Sequence, residues 1–79
     1  MIEVRLFGSL KKYADGQKRV EFSPTAAKCV NDVLLILQIP KGEAGQILIN
    51  GAPANSSRAF LDSIVNDDIV DIYPISAGG

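Results

Sequence analysis

The sequence has 79 residues, 47 % of them hydrophobic, and a formal net charge of −1, values that indicate one folded domain and leave no room for a second. The longest aliphatic run, residues 33–37, is far too short to span a membrane, and the charges of Glu3 and Arg5 argue against a secretory signal peptide, so we expect a cytoplasmic protein without membrane contact. With no histidine and one cysteine, Cys29, the chain lacks the residues for a catalytic triad or a clustered zinc site, and it lacks the basic excess of a nucleic-acid-binding protein.

Two antiparallel strands are predicted in the first part of the chain. Residues 1–7 alternate with period two, which predicts a strand with one apolar face. A short helical turn or loop over residues 10–14 leads to the turn dipeptide Asp15-Gly16, where the chain reverses. Residues 18–22 alternate again, so the two strands form a hairpin with a long connection.

One helix and two short strands are predicted next. From Val30 the apolar residues recur with the spacing of one helical face, which predicts a helix of about nine to eleven residues. Pro40 ends this helix because it cannot continue the hydrogen-bond ladder. Residues 46–49 form a strand that enters the hairpin turn Asn50-Gly51, and residues 52–54 return briefly beside it.

The last part of the chain holds an irregular stretch and a final strand. Residues 55–68 show no regular period, and we expect Ala59, Leu61 and Ile64 to be tucked beneath this stretch. The final strand covers residues 69–73 and is closed by Pro74.

This order of elements predicts an α+β protein with a β-grasp, or ubiquitin-like, fold. If the first and last strands pair, they run parallel and occupy the centre of a mixed sheet of about four to five strands, with the main helix packed on one face. We favour this fold over a ferredoxin-like sandwich because the sequence offers one clear helix. Residues 1–74 form the β-grasp domain, and residues 75–79 are expected to form a flexible C-terminal tail.

The tail ends in Gly78-Gly79, for which the fold gives no structural reason. At average glycine usage, a chain ends in two glycines by chance roughly 0.5 % of the time. Two residues without side chains make a thin segment that can enter a narrow active site and present the terminal carboxylate to chemistry supplied by another protein. A frayed terminus is the alternative. Pro74 fixes its own φ and directs the tail outward.

Five segments of the sequence, taken in order, form a recognisable pattern: Val4-Arg5-Leu6-Phe7-Gly8-Ser9-Leu10, Cys29-Val30-Asn31-Asp32-Val33-Leu34, Ile49-Asn50-Gly51, Asp67-Asp68-Ile69-Val70-Asp71-Ile72-Tyr73-Pro74 and the closing Gly78-Gly79. This pattern resembles the ubiquitin-like sulfur carriers, the family that includes the small subunit of molybdopterin synthase (MoaD) and the thiamine-pathway carrier (ThiS). The resemblance covers nearly the whole chain. The opening strand and residues 73–79 are more similar to the molybdopterin branch. Cys29 replaces the family's usual threonine, and Asp67 stands where the family prefers glycine.

The resemblance implies a carrier protein without an active site of its own. The Gly79 carboxylate is then activated as an acyl-adenylate by a ubiquitin-activating-type enzyme (MoeB-like) that uses ATP, and is converted to a thiocarboxylate with sulfur from a donor enzyme. Gly78 has no side chain and so gives the tail the clearance it needs inside the partner's active site. In the molybdopterin branch the tail inserts into the large synthase subunit (MoaE-like) and gives its sulfur to the pterin precursor of the molybdenum or tungsten cofactor. The carrier itself is expected to bind no cofactor.

A docking surface is predicted on the outer face of the two central strands. Phe7 and Tyr73 fall on this face together with Arg5, Ile69 and Asp71, which makes a semi-apolar patch. Packing of these side chains under the turn at residues 10–14 is the alternative. The predicted partner-contacting residues are Phe7 and Tyr73, and in the tail Ile75, Ser76 and Ala77.

Other functions stay open at this point. A sulfur carrier could serve another pathway, such as thiamine thiazole, cysteine or tRNA thiolation, and the same fold could act as a ubiquitin-like modifier or an interaction module. Cys29 could relay sulfur as a persulfide, although a lone cysteine at a helix start more often packs in the interior. No metal site is predicted, since Asp67-Asp68 alone offers too few ligands.

Overall fold

A computed structural model describes residues 1–54, 61 and 63–75 of the chain. Within this part, the strands are β1 (Ile2–Leu6), β2 (Arg19–Phe22), β3 (Ala44–Ile49), β4 (Ala52–Pro53) and β5 (Ile69–Pro74). The α-helix α1 spans Val30–Leu37, and two 3₁₀ helices span Gly8–Ala14 and Lys41–Glu43. No helix in the described part is long and apolar enough to cross a membrane.

The five strands form one mixed sheet in the order β2-β1-β5-β3-β4. β1 and β5 are parallel neighbours at the centre, with Glu3 opposite Ile69 and Leu6 opposite Ile72. The other neighbouring strands are antiparallel. Parallel pairing requires a long crossover connection, and the segment that holds α1 provides it. The predicted β-grasp topology, with the first and last strands side by side, is confirmed.

The core lies between the inner face of this sheet and α1. The alternation in β1 buries Ile2, Val4 and Leu6 completely, and the helical spacing of α1 turns Val33 and Leu34 toward the same cluster. Leu10 of the first 3₁₀ helix is also fully buried. The core residues therefore come from elements distributed along the whole described chain.

Both hairpin turns use left-handed backbone at the predicted dipeptides. Asp15 and Gly16 have φ values of 54° and 84°, and Asn50 and Gly51 have φ values of 53° and 83°. Two successive residues with positive φ at Asn-Gly fit the type I′ turn that matches strand twist in a tight hairpin. These turns set where β2 and β4 fold back against their neighbours.

The helix α1 is shorter than expected, at eight residues. Gln38 takes a left-handed conformation with φ 62° and donates its N–H to the carbonyls of Leu34 and Leu35, which closes the helix before Pro40. At the other end, the Asp32 carboxylate accepts a hydrogen bond of 2.9 Å from the Lys28 N–H. An acidic group in the first turn also complements the positive end of the helix dipole.

One expectation for the irregular stretch is wrong. Ile64 is buried, at 4 % exposure, but Leu61 is 63 % exposed instead of lying beneath the chain. Ile64 is held because its N–H donates to the Lys28 carbonyl at 3.0 Å, beside the start of α1. Ala59 lies outside the described residues.

Candidate functional site

Two aromatic side chains meet on the outer face of the sheet. Phe7 directly follows β1 and Tyr73 lies in β5, and their rings stack with centroids 4.3 Å apart and planes 8° from parallel. The Phe7 N–H donates to the Ile72 carbonyl at 3.2 Å, which extends the parallel pairing and fixes this register. The Lys18 Nζ lies 4.8 Å from the Phe7 ring centroid, a cation–π geometry. We call Phe7 and Tyr73 the aromatic pair.

An ion pair lies next to the aromatic pair. The parallel register sets Arg5 opposite Asp71, and the guanidinium binds the carboxylate through two hydrogen bonds, Nε to Oδ1 at 2.5 Å and Nη2 to Oδ2 at 2.9 Å. The hydrogen bond to Asp71 raises the pKa of the Arg5 guanidinium above its ordinary value. Asp71 is 4 % exposed. The outer face therefore presents an ion pair in which the carboxylate is buried and the guanidinium is partly exposed.

The alternative packing for the outer face concerns the first 3₁₀ helix. Leu10 of that helix is in the core, and Tyr13 packs against the core as a half-buried residue. Phe7 and Tyr73 are themselves half-buried. Each ring is covered in part by the other, and the Lys18 ammonium lies over the Phe7 ring. Both residues stay partly exposed on the outer face.

The chain leaves the sheet at Ile75, immediately after β5. Its side chain is 67 % exposed, while its N–H donates to the Glu43 carbonyl at 3.1 Å. Ile75 is thus bound through its backbone and open through its side chain. The other predicted tail residues, Ser76, Ala77, Gly78 and Gly79, lie outside the described residues, so their roles stay predictions.

The sequence analysis did not identify Lys18, Glu43 or Gly45 as part of this region. Lys18 was visible as one of several basic residues, but its position over an aromatic ring depends on the β1–β2 register. Glu43 and Gly45 approach the end of β5 only because β3 pairs with that strand. For Gly45, the glycine itself was the available signal, since glycine in a strand often marks a bulge or a close backbone approach.

The remaining candidate residues have structural surroundings. Cys29 is a partly exposed free thiol at the N-cap of α1. The Asp68 carboxylate accepts hydrogen bonds from the Asn50 side-chain amide at 2.9 Å and from the Val65 N–H at 2.8 Å, which joins the β3–β4 turn to the start of β5. Asp67 takes the left-handed conformation, with φ 74°. This agrees with the resemblance, in which glycine is preferred at this position. Among residues 1–54, 61 and 63–75, no group of three or more potential ligands is placed to hold a metal ion.

In the part of the chain that the structure describes, five strands in one mixed sheet and one α-helix define a ubiquitin-like β-grasp fold. No protein-family model and no curated protein match the sequence. Several solved structures match the fold over nearly the whole chain. The HVO 2177 protein of Haloferax volcanii has a TM-score of 0.74 at 23 % identity, over 99 % of this chain and 85 % of that one.

Three further solved structures are similar at comparable identity. CysO in the BexX/CysO complex of Amycolatopsis orientalis has a TM-score of 0.70 at 21 % identity, covering all of both chains. One chain in the complex of subunits 1 and 2 of molybdopterin-converting factor from Helicobacter pylori has a TM-score of 0.62 at 20 % identity, over 99 % of this chain and 97 % of that one. SAMP1 from Haloferax volcanii gives 0.62 at 20 % identity, over 99 % and 98 %. At the level of the fold, the resemblance seen in the sequence is confirmed.

Proposed function

We propose that this chain is a ubiquitin-like sulfur carrier that acts through the carboxylate of Gly79. The observation that carries the proposal is that the central strand β5 of a β-grasp domain ends beside an exposed Ile75, and the sequence continues from there to Gly78 and Gly79. The solved structures of similar fold include a molybdopterin-converting factor subunit in complex with its partner subunit. A short glycine-ended tail on a rigid domain suits delivery of a carboxylate to another protein's active site.

The chemistry follows from the weakness of a carboxylate as an electrophile. Attack of a Gly79 carboxylate oxygen on the α-phosphorus of ATP releases pyrophosphate and leaves an acyl-adenylate. The outer sulfur of a persulfide on a donor enzyme then attacks the acyl carbon and AMP leaves, which gives an acyl disulfide between donor and carrier. A thiol reductant cleaves this sulfur–sulfur bond, so that the donor ends as a thiol and the carrier terminus as a thiocarboxylate. The carrier contributes the acyl carbon and a narrow approach through Gly78. An adenylating enzyme of the ubiquitin-activating type supplies the remaining groups.

For the sulfur acceptor, we propose the pterin precursor of the molybdenum or tungsten cofactor. The support is the similarity of residues 73–79 to the molybdopterin branch and the fold shared with a subunit of molybdopterin-converting factor. A MoaE-like large subunit is then the protein that receives the tail. Other sulfur pathways remain the alternative, since CysO in its complex with BexX is more similar in fold, with a TM-score of 0.70 against 0.62.

The aromatic pair is proposed as the docking surface beside the tail. Both residues are half-buried, so they offer apolar area to a partner and no part of the domain has to unfold to expose it. Lys18 adds a positive charge at the rim, and Ile75 extends the apolar surface toward the tail. Apolar area in the centre and charge at the rim is the usual anatomy of a protein interface.

The carrier function is tested by intact mass spectrometry. The protein is incubated with ATP, an adenylating enzyme of this class, a cysteine desulfurase with free cysteine as its sulfur source, and a thiol reductant, and is compared with a variant that lacks Gly79. The expected result is a mass gain equal to the replacement of one oxygen by one sulfur, absent from the shortened variant. No gain with an enzyme shown to be active on its own carrier contradicts the proposal. Isopeptide products on lysines of other proteins indicate a modifier instead.

The docking surface is tested by charge insertion. Phe7→Glu and Tyr73→Glu should each weaken binding to the large subunit while the far-UV circular dichroism stays that of the wild type. Leu35→Glu is the matched control, because Leu35 is an apolar residue of α1, on the other side of the sheet, and is 68 % exposed. Equal binding by all four proteins would show that the partner docks elsewhere.

A further inference from the structure

The pairing of β3 with β5 is irregular next to the point where the chain leaves the sheet. Ala44 lies opposite Pro74, and Ile47 lies opposite Ile72. Two residues of β3, Gly45 and Gln46, therefore face one residue of β5, which is the arrangement of a β-bulge. A bulge bends its strand locally, so the bulge at Gly45 and Gln46 changes the path of β3 where it lies beside the end of β5.

The bulge brings the backbone of Gly45 against the exit of the chain. A Cβ atom at Gly45 would lie 2.6 Å from the Pro74 carbonyl oxygen and 2.8 Å from the Ile75 Cα, distances that no side chain can accept without moving the backbone. On another side, a Cβ at Gly8 would lie 3.0 Å from the Pro74 Cγ. Two glycines thus allow β3 and the start of the first 3₁₀ helix to close around Pro74.

Glu43 holds the next residue along the chain. Its carbonyl accepts the Ile75 N–H at 3.1 Å. Its carboxylate lies 3.9 Å from the Lys12 Nζ, and a hydrogen bond with this carboxylate is the main cause that raises the pKa of the Tyr13 phenol. The residue that binds Ile75 through its backbone is thereby tied through its side chain to the first 3₁₀ helix.

We propose that Gly45, Glu43 and Gly8 form a backbone clamp on Pro74–Ile75, and that this clamp positions the tail for the adenylating enzyme. The proposal rests on the proposed carrier function and names the residues that prepare its tail. A tail that must enter a narrow site binds more tightly if its first residue is already fixed. Fixing the backbone of one residue changes a binding equilibrium by roughly 5- to 30-fold.

The test compares two glycine-to-alanine variants separated by three positions. Gly45→Ala introduces the methyl group that collides with Pro74 and Ile75, whereas a Cβ at Gly42 meets nothing within 4 Å, so Gly42→Ala is the matched control. Gly45→Ala should raise the KM of the adenylating enzyme for the carrier by roughly 5- to 30-fold at unchanged kcat, and Gly42→Ala should leave both unchanged. A rise of this size cannot come from partial unfolding while the far-UV circular dichroism remains that of the wild type.

Amide hydrogen exchange at Ile75 provides a readout that does not depend on any enzyme. Gly45→Ala should accelerate exchange at Ile75 and leave the core amides of β1 protected. Tyr13→Phe removes the hydroxyl group whose interaction with the Glu43 carboxylate raises the pKa of the phenol. It should change exchange and KM in the same direction by a smaller factor, and it provides the test if Gly45→Ala does not fold.

The outcomes separate the two proposals. Unchanged exchange at Ile75 in Gly45→Ala overturns the clamp, and faster exchange with an unchanged KM overturns its positioning role. If the wild-type protein is not adenylated at all, the carrier function fails, while exchange at Ile75 still decides whether the clamp holds the chain.

Discussion

The stacking of Phe7 on Tyr73 can be measured as a coupling energy. We consider Phe7→Leu, Tyr73→Leu and the double variant, because leucine keeps apolar bulk at each position and removes the ring. The rings are 4.3 Å apart between centroids and 8° from parallel, the geometry of a stacked pair. Aromatic pairs contribute about 0.5–1.5 kcal/mol beyond the area that they bury, and this is the coupling expected between the two substitutions.

The magnitude is measurable against the stability of the whole protein. A chain of this length is expected to unfold with a free energy of about 4–12 kcal/mol. Losing the coupling leaves each variant folded, so urea unfolding followed by circular dichroism gives all four free energies. Phe7→Leu also removes the ring under Lys18, worth about 0.5–1 kcal/mol at an exposed site, and should therefore be the more destabilising single change.

The control for this cycle is Lys18→Met, which removes the cation and keeps much of the side-chain length. In the Lys18→Met background, the coupling between Phe7 and Tyr73 should be retained, because the two rings still face each other. A coupling indistinguishable from zero in both backgrounds would refute the conclusion that the rings stack in solution. It would also remove the rigid apolar surface on which the proposed docking site depends.

Three further predictions concern the core, the β3–β4 turn and a tyrosine. Leu6→Ala, at a fully buried position, should cost about 2–5 kcal/mol in urea unfolding; a cost below 1 kcal/mol would contradict tight packing there. Asn50→Gly keeps the left-handed backbone and loses the side-chain hydrogen bonds of Asn50, each of which contributes roughly 0.5–1.5 kcal/mol to the unfolding free energy. Asn50→Ala should lower the unfolding free energy by about 1–2 kcal/mol more, because alanine is strained at the positive φ of this position. Equal losses in the two variants would show that backbone strain is negligible. Because its hydrogen bond with Glu43, and then its desolvation, raise the pKa of Tyr13 from an ordinary 10.0, the folded state holds that phenolic proton more tightly than the unfolded chain. The unfolding free energy should therefore fall as the pH rises above 10.0, and Tyr13→Phe should reduce this slope in alkaline urea titrations; an unchanged slope would contradict the assignment.

Local patterns were sufficient for most of the fold. The period-two alternation in β1 identified a face on which Ile2, Val4 and Leu6 are all fully buried. The dipeptide Asn50-Gly51 predicted a tight hairpin, since both residues tolerate positive φ. These predictions succeeded because each depends on a few adjacent residues.

The site depends more on contacts between distant residues. Alternation placed Asp71 on the outer face, but it could not show that Asp71 is buried and paired with Arg5 on the neighbouring parallel strand, 66 positions away. The bulge at Gly45 likewise depends on the register between β3 and β5, which neither strand shows alone. The roles of Gly78 and Gly79 come from the family resemblance and stay predictions.

The central parallel pair has a consequence for how the chain folds as it is made. Arg5 and Asp71 are separated by 66 positions, so at a synthesis rate of 5–20 residues per second β1 waits roughly 3–13 s for its central partner. During that time β2 is available to pair with one edge of β1, and the other edge presents unpaired backbone groups that can associate with other strands. Closing so long a loop also makes folding slow for a domain of this size. A chaperone that shields one strand edge during synthesis would therefore raise the yield of folded protein without affecting its final stability.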